Sequence, residues 1–223
     1  MVDNKFKKGL LIASLSLNVL FILFFIGKRF YYSHWSLFHH VKLDRWSEYL
    51  KSKPDTGEII FLGTSITEGF PVKKEFNNPK VKNMGFAGSI SENGIQVIKR
   101  LIYRRPQKVF LEFGVNDFKY HISADTVKSN LITMIDIIKA KSPNTKIYVQ
   151  SVFPTNIDSL NNKIVNYNKE AESICLTKEA TFINLYPDFL KGNKIDSDLT
   201  IDGTHLSTTG YFNWRRLIDK YVN

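Results

Sequence analysis

Ser65 lies in Gly63-Thr64-Ser65-Ile66-Thr67-Glu68-Gly69, directly behind the apolar run Ile59-Ile60-Phe61-Leu62. A serine at the end of a buried strand, between glycines, can be held at the mouth of a cleft. Its backbone N–H then faces a developing oxyanion. A second segment, Asn83-Met84-Gly85-Phe86-Ala87-Gly88-Ser89, offers glycines that let a backbone N–H approach a ligand closely. A third, Gly114-Val115-Asn116-Asp117, holds an asparagine whose amide is a neutral donor suited to an oxyanion hole. The fourth is Asp202-Gly203-Thr204-His205. A short loop there can set the Asp202 carboxylate against one ring nitrogen of His205 and leave the other for a nucleophile. Together these residue types permit attack by an activated serine on a carbonyl. Each segment alone also has an ordinary structural reading. Gly-Thr-Ser is common in turns, and Gly85 reads as a loop residue needing positive φ. Asn116 could close an Asx turn, and D-x-x-H could be a surface loop or half a metal site. A phosphate loop is excluded, because no G-x-x-x-x-G-K-[ST] is present.

The elements that must position these residues follow from the apolar pattern. Short buried runs read as strands at 58–63, 81–84, 108–113, 146–151 and 181–185. Between them lie helical patterns. One opens at Ser91 with Ile95, Val97, Ile98, Leu101 and Ile102; another is capped by Asp125 and carries Val127, Leu131, Met134, Ile135 and Ile138. A third runs through Ile164, Tyr167, Ala171 and Ile174, and a C-terminal one from about Thr208 to Tyr221. Strands alternating with helices predict βαβ units, hence a parallel sheet covered on both faces with right-handed crossovers. Sites in such sheets lie beyond the carboxyl ends of the strands, where all but the last of the four segments fall.

Taken in order, the four segments resemble the SGNH (GDSL-type) hydrolase family. Its acetylesterase and platelet-activating-factor-acetylhydrolase-like members are the most similar. FLGTSITEG is similar to the family's first block and NMGFAGSIS to its second. FGVNDF matches the third and TIDGTHLSTTGY the last. The resemblance covers roughly residues 56 to 221. It implies an α/β, three-layer flavodoxin-like sandwich with a five-stranded parallel sheet in the order 2-1-3-4-5. It further implies Ser65 as nucleophile, His205 as base and Asp202 as its partner. The backbone N–H groups of Ser65 and Gly88 and the Asn116 amide would form the oxyanion hole, with no metal or organic cofactor. Asn83 would be the asparagine of the second block. Two positions depart from the family pattern: Thr64 and Ser89 stand where Asp is common, and Ser89 weakens the second block most. The expected reaction is hydrolysis of a short acyl ester, acetyl on an envelope glycan. Lysophospholipase or lipase action and glycan O-acyl transfer stay open on the same residues. A degenerate glycan-binding module is the non-enzyme alternative; loss of Ser65, Asn116 or His205 would favour it, and all three are present.

Composition limits the rest. Apolar residues at 43% and charged residues at 23% suit a globular domain. Leu10 to Ile26 carries no charge, follows Lys5, Lys7 and Lys8, and precedes Lys28 and Arg29. The run approaches the roughly 20 residues of a spanning helix and lacks an A-x-A cleavage site. Residues 1–29 therefore read as an uncleaved signal anchor, and the catalytic domain is expected outside the cytoplasm in a single-pass membrane protein. Residues 30–53 read as an aromatic juxtamembrane collar (Tyr31, Tyr32, Trp35, Phe38) with a short helix, and residues 54–223 as the hydrolase domain. His34, His39 and His40 lack a spaced carboxylate partner for a metal. The formal charge of +10 shows no basic stripe interleaved with aromatics, so no nucleic-acid partner is expected. Arg100, Arg104 and Arg105 read as charges at a helix C-terminus. The single cysteine, Cys175, permits no intrachain disulfide and reads as a buried thiol. The oligomeric state is not encoded in any of these patterns.

Overall fold

β-branched and aromatic residues in unbroken apolar runs build the centre of the sheet. The computed structural model describes residues 14–26, 47 and 49–223. The strands are β1 (Ile59–Gly63), β2 (Val81–Asn83), β3 (Lys108–Glu112), β4 (Lys146–Gln150) and β5 (Thr181–Ile183). All five residues of β1 and of β3 are buried, as expected of strands covered on both faces. Every pairing is parallel, and the order is β2-β1-β3-β4-β5, as the family resemblance implied.

Helix α1 covers residues 14–26. The helices that follow are α2 (Ser65–Glu68), α3 (Val72–Glu75), α4 (Ser91–Leu101), α5 (Val115–Lys119), α6 (Ala124–Lys141), α7 (Asp158–Thr177) and α8 (Thr208–Val222). α4, α6 and α7 lie side by side on one face of the sheet. α8 covers the other. There Phe61, Phe110 and Tyr148 stand in register on adjacent strands and stack with centroids 4.4 and 4.7 Å apart. Trp214 and Tyr221 of α8 join this row through Phe70 (4.5 Å) and Tyr148 (5.4 Å). Such aromatic pairs add about 0.5–1.5 kcal/mol each beyond area burial. Lys108 fixes the far end of α8 by donating to the Val222 carbonyl at 2.8 Å.

Two sequence expectations need correction, and one element is new. α6 is capped by Ser123, whose hydroxyl accepts from Thr126 N–H; Asp125 lies within the first turn and pairs with Lys128. Arg104 does more than complement a helix end. Its guanidinium meets the fully buried Glu58 carboxylate through two bonds of 2.9 and 2.6 Å. A two-stranded hairpin, Leu190–Lys191 with Lys194–Ile195, was not foreseen; strands of two residues leave no periodicity to read.

The chain divides into two compact units, Met1–Lys51 and Ser52–Asn223. In the first, residues 14–26 are helical and exposed throughout. Among the described residues no helix is long and apolar enough to cross a membrane. The expected spanning helix is therefore not shown. Residues 10–13 of that run, the collar residues Tyr31, Tyr32, Trp35 and Phe38, and His34, His39 and His40 lie outside the described residues. Cys175 is buried in α7, as expected.

Candidate active site

β1 ends at Gly63, and the chain turns at once into the short helix α2. Thr64 caps it with extended backbone, its hydroxyl accepting from Ile66 N–H. Ser65 is the first helical residue. Its N–H belongs to the orphan donors of a helix start, and no partner for it occurs among the described residues.

The fourth segment folds into a tight loop, closed by a bridge between Thr200 and Leu206. The Thr200 hydroxyl donates to the His205 carbonyl at 2.7 Å and accepts from Gly203 N–H at 2.9 Å. Gly203 has φ +84°, and a Cβ there would collide with the Asn156 side chain; only glycine fits that turn and that approach. The loop carries Asp202 and His205 into one geometry. Asp202 Oδ1 accepts from the Thr204 and His205 amides at 2.9 and 2.8 Å, and Oδ2 lies 2.6 Å from His205 Nδ1. His205 Nε2 in turn lies 3.0 Å from Ser65 Oγ. Desolvation pushes the Asp202 carboxyl up, but the His205 ring and the two amides outweigh it and hold the pKa down at about 2. Asp202 is thus ionised at neutral pH, and Nδ1 facing it is the protonated nitrogen. Nε2 is left as the acceptor toward Ser65. Lys119 of α5 reaches the same loop, donating to Thr204 Oγ1 at 3.2 Å.

The second and third segments meet at Ser89. Its hydroxyl donates to Gly63 O at 2.9 Å, and its carbonyl accepts from Asn116 Nδ2 at 2.9 Å. The buried Ser89, a departure from the family pattern, therefore joins the end of β1 to the asparagine segment. Gly88 precedes it with φ +77°, and its N–H has no partner among the described residues. One N–H of the buried Asn116 amide remains beyond the bond to Ser89. Asn83 does a different job. Its Nδ2 donates to the Thr67 and Phe70 carbonyls at 2.6 and 2.8 Å, and its Oδ1 accepts from Gly85 N–H, which fixes β2 to the serine turn. The structure thus brings Ser65, His205 and Asp202 into one hydrogen-bonded chain and Asn116 against the Gly88-Ser89 loop.

A family model described as the GDSL-like lipase/acylhydrolase family matches residues 61–211. The chain belongs to that family. This GDSL-like acylhydrolase is accordingly an ester hydrolase. No curated protein matches it. Among solved structures, it resembles a Streptococcus pneumonia protein whose description names platelet activating factor. The two share 21% identity and a TM-score of 0.73, over 82% of this chain and 92% of that one. A GDSL-like lipase from Bacteroides thetaiotaomicron gives 22%, 0.73, 80% and 96%. An acetylxylan esterase from Geobacillus stearothermophilus, in a catalytic mutant, gives 17%, 0.64, 77% and 97%. At such identities the likeness speaks for the fold.

The acylhydrolase also holds polar residues at the site that motif reading passed over. Glu112, at the end of β3, is fully buried; its Oε2 accepts from Thr64 N–H (3.1 Å), Thr64 Oγ1 (2.8 Å) and Thr67 Oγ1 (3.0 Å). Burial raises its carboxyl pKa to about 7, against the lowering pull of those threonine bonds. The raised value means that Glu112 favours folding most below its unfolded pKa. That contribution is lost as pH climbs toward 7. Asp117 is buried too and accepts from the Ser91 hydroxyl at 2.6 Å and the Ser91 amide, anchoring the start of α4. The Tyr211 hydroxyl donates to Ile66 O at 2.9 Å. A carboxylate inside the apolar run KVFLEF was the available signal for Glu112, because unpaired carboxylates are rarely buried.

Proposed function

We propose that this protein is a serine esterase in which Ser65 is the nucleophile, His205 the general base and Asp202 its orienting partner. The observation that carries this reading is the continuous chain Asp202 Oδ2–His205 Nδ1 and His205 Nε2–Ser65 Oγ, at 2.6 and 3.0 Å. His205 Nε2 takes the Ser65 proton as Oγ attacks the ester carbonyl. The Ser65 and Gly88 amides and the Asn116 side chain hold the oxyanion. His205 then returns the proton to the leaving alcohol, and water, activated by the same nitrogen, releases the acyl group. Loss of one oxyanion donor costs about 10²–10³ in kcat. Asn116→Ala is expected to show a loss of that order with the fold retained. An unchanged kcat would remove Asn116 from the hole.

The preferred substrate is a short acyl ester, acetyl on an envelope glycan, with residues 1–29 anchoring the enzyme to a membrane and the domain outside the cytoplasm. The resemblance to acetylesterase-like members supports the short acyl group. A second reading, hydrolysis of a longer-chain lipid ester, is favoured by a specific feature. A cleft of about 420 Å³ beside the His205 loop is lined by Ile201, Leu206, Tyr211 and Phe212. Ile201 and Phe212 are 72% and 62% exposed. A panel of p-nitrophenyl esters of increasing chain length, beside an acetylated polysaccharide, separates the two. The first reading expects the highest kcat/KM at acetyl; a preference for long chains overturns it.

A further inference from the structure

Gly63, Glu112 and Gln150 form a row across the three central strands. Gly63 pairs with Glu112, and Glu112 stands one step beyond the pair Leu111–Val149, opposite Gln150. Side chains two apart on a strand share a face. The row therefore lies on the α8 side, next to Phe61, Phe110 and Tyr148. Gly63 contributes no side chain. A Cβ there would lie 2.8 Å from Glu112 Oε2, so its absence opens the path by which Glu112 reaches Thr64 and Thr67. The two threonines flank Ser65 and Ile66, and Oε2 accepts from Thr64 N–H, Thr64 Oγ1 and Thr67 Oγ1. On the other side, Gln150 Oε1 accepts from Trp214 Nε1 at 2.7 Å. Among the described residues, Glu112 Oε1 and Gln150 Nε2 are both buried without a hydrogen-bond partner. One is an acceptor and the other a donor, on strands about 4.8 Å apart, a spacing suited to one shared buried water.

We propose that Glu112 is a positioning residue of this esterase: with Gln150 and a shared water, it clamps the Thr64–Thr67 turn so that the Ser65 hydroxyl meets His205. The proposal rests on the catalytic reading above. A buried carboxyl with no cation beside it costs stability that an apolar residue of similar volume would not. The cost falls directly beneath the nucleophile. The groups facing Glu112 are Thr64, which caps α2, Thr67 of α2, Gly63 from β1, Gln150 from β4 and Tyr211 from α8. No charged side chain contributes to the shift of Glu112, while Glu112 and Glu68 both push the Tyr211 hydroxyl up after burial itself. The ionised carboxylate accepts the three threonine donors most strongly, so the clamp tightens as pH rises through neutrality.

The test uses the full chain with Glu112→Gln and Gln150→Leu, and Ser65→Ala as the blank. Glu112→Gln is expected to lower kcat for p-nitrophenyl acetate about tenfold or more with KM nearly unchanged, as misplacement of a reacting atom does. The rate of fluorophosphonate labelling at Ser65 falls in parallel. The shape of the wild-type kcat profile in the neutral range changes. Gln150→Leu gives a smaller loss, and the double variant is no worse than Glu112→Gln alone, as one network requires. Wild-type kcat and an unaltered pH profile in Glu112→Gln overturn the proposal. So does a lower labelling amplitude at unchanged rate, which reports lost folded protein only. A silent Gln150→Leu removes Gln150 from the clamp. If wild-type protein is not labelled at Ser65, the catalytic reading fails instead. Amide exchange then decides the clamp: faster exchange at Thr64 and Ile66 in Glu112→Gln supports it, and unchanged exchange overturns it.

Discussion

Ser65→Ala brings hydrolysis of a short aryl ester down to the solvent background. In the proposed mechanism its Oγ forms the covalent intermediate, and among the described residues its hydroxyl bonds to His205 alone. Losing a member of such a unit costs on the order of 10⁴–10⁶ in kcat. His205→Ala is expected to fall nearly as far, and the double variant little further, because the two act in one step. Neither change empties the core, as both side chains sit at the cleft. Circular dichroism and melting should therefore match wild type. Purified Ser65→Ala with normal turnover would end the assignment of Ser65, whatever the fold.

Arg104→Ala is expected to be the most destabilising single substitution considered. The Arg104 and Glu58 side chains are 4% and 0% exposed, and their two charge-assisted bonds tie the turn that follows α4 to the residue before β1. The guanidinium also donates to Ser52 O at 2.8 Å. Truncation breaks this buried charge pair, which typically costs about 3–5 kcal/mol. Folded domains hold only about 5–15 kcal/mol in total, so the loss should be plain in urea midpoints. Arg104→Met combined with Glu58→Met should recover part of it, because the desolvated charge is then gone. A single variant within about 1 kcal/mol of wild type would show that the pair is solvated.

The parallel sheet was readable because β1, β3 and β4 are nearly continuous apolar runs of strand length, bounded by glycine or polar turns. The helices were readable because α4, α6 and α7 repeat apolar residues at helical spacing. Ser65, Asn116, Asp202 and His205 stood out because their types and order fit one chemistry. What resisted reading was tertiary. Glu112 looks like any charge in a strand until Gly63 is seen to make room for it. Arg104 looks like a helix-end charge until Glu58, 46 residues away in sequence, is placed against it. Ser123 and Asp125 both suit a helix start, and only backbone geometry chooses between them. The Leu190–Ile195 hairpin is too short for any pattern.

The buried thiol of Cys175 has a practical consequence. Burial pushes its pKa up to about 12, and the chain has no other cysteine. Maleimides and disulfide reagents, which need an accessible thiolate, should leave the native protein untouched. One cysteine introduced at exposed Ile201 would then be a unique handle beside the cleft. A fluorophore there would report ligand entry without competing labels, and unfolding could be timed by the moment Cys175 itself becomes reactive.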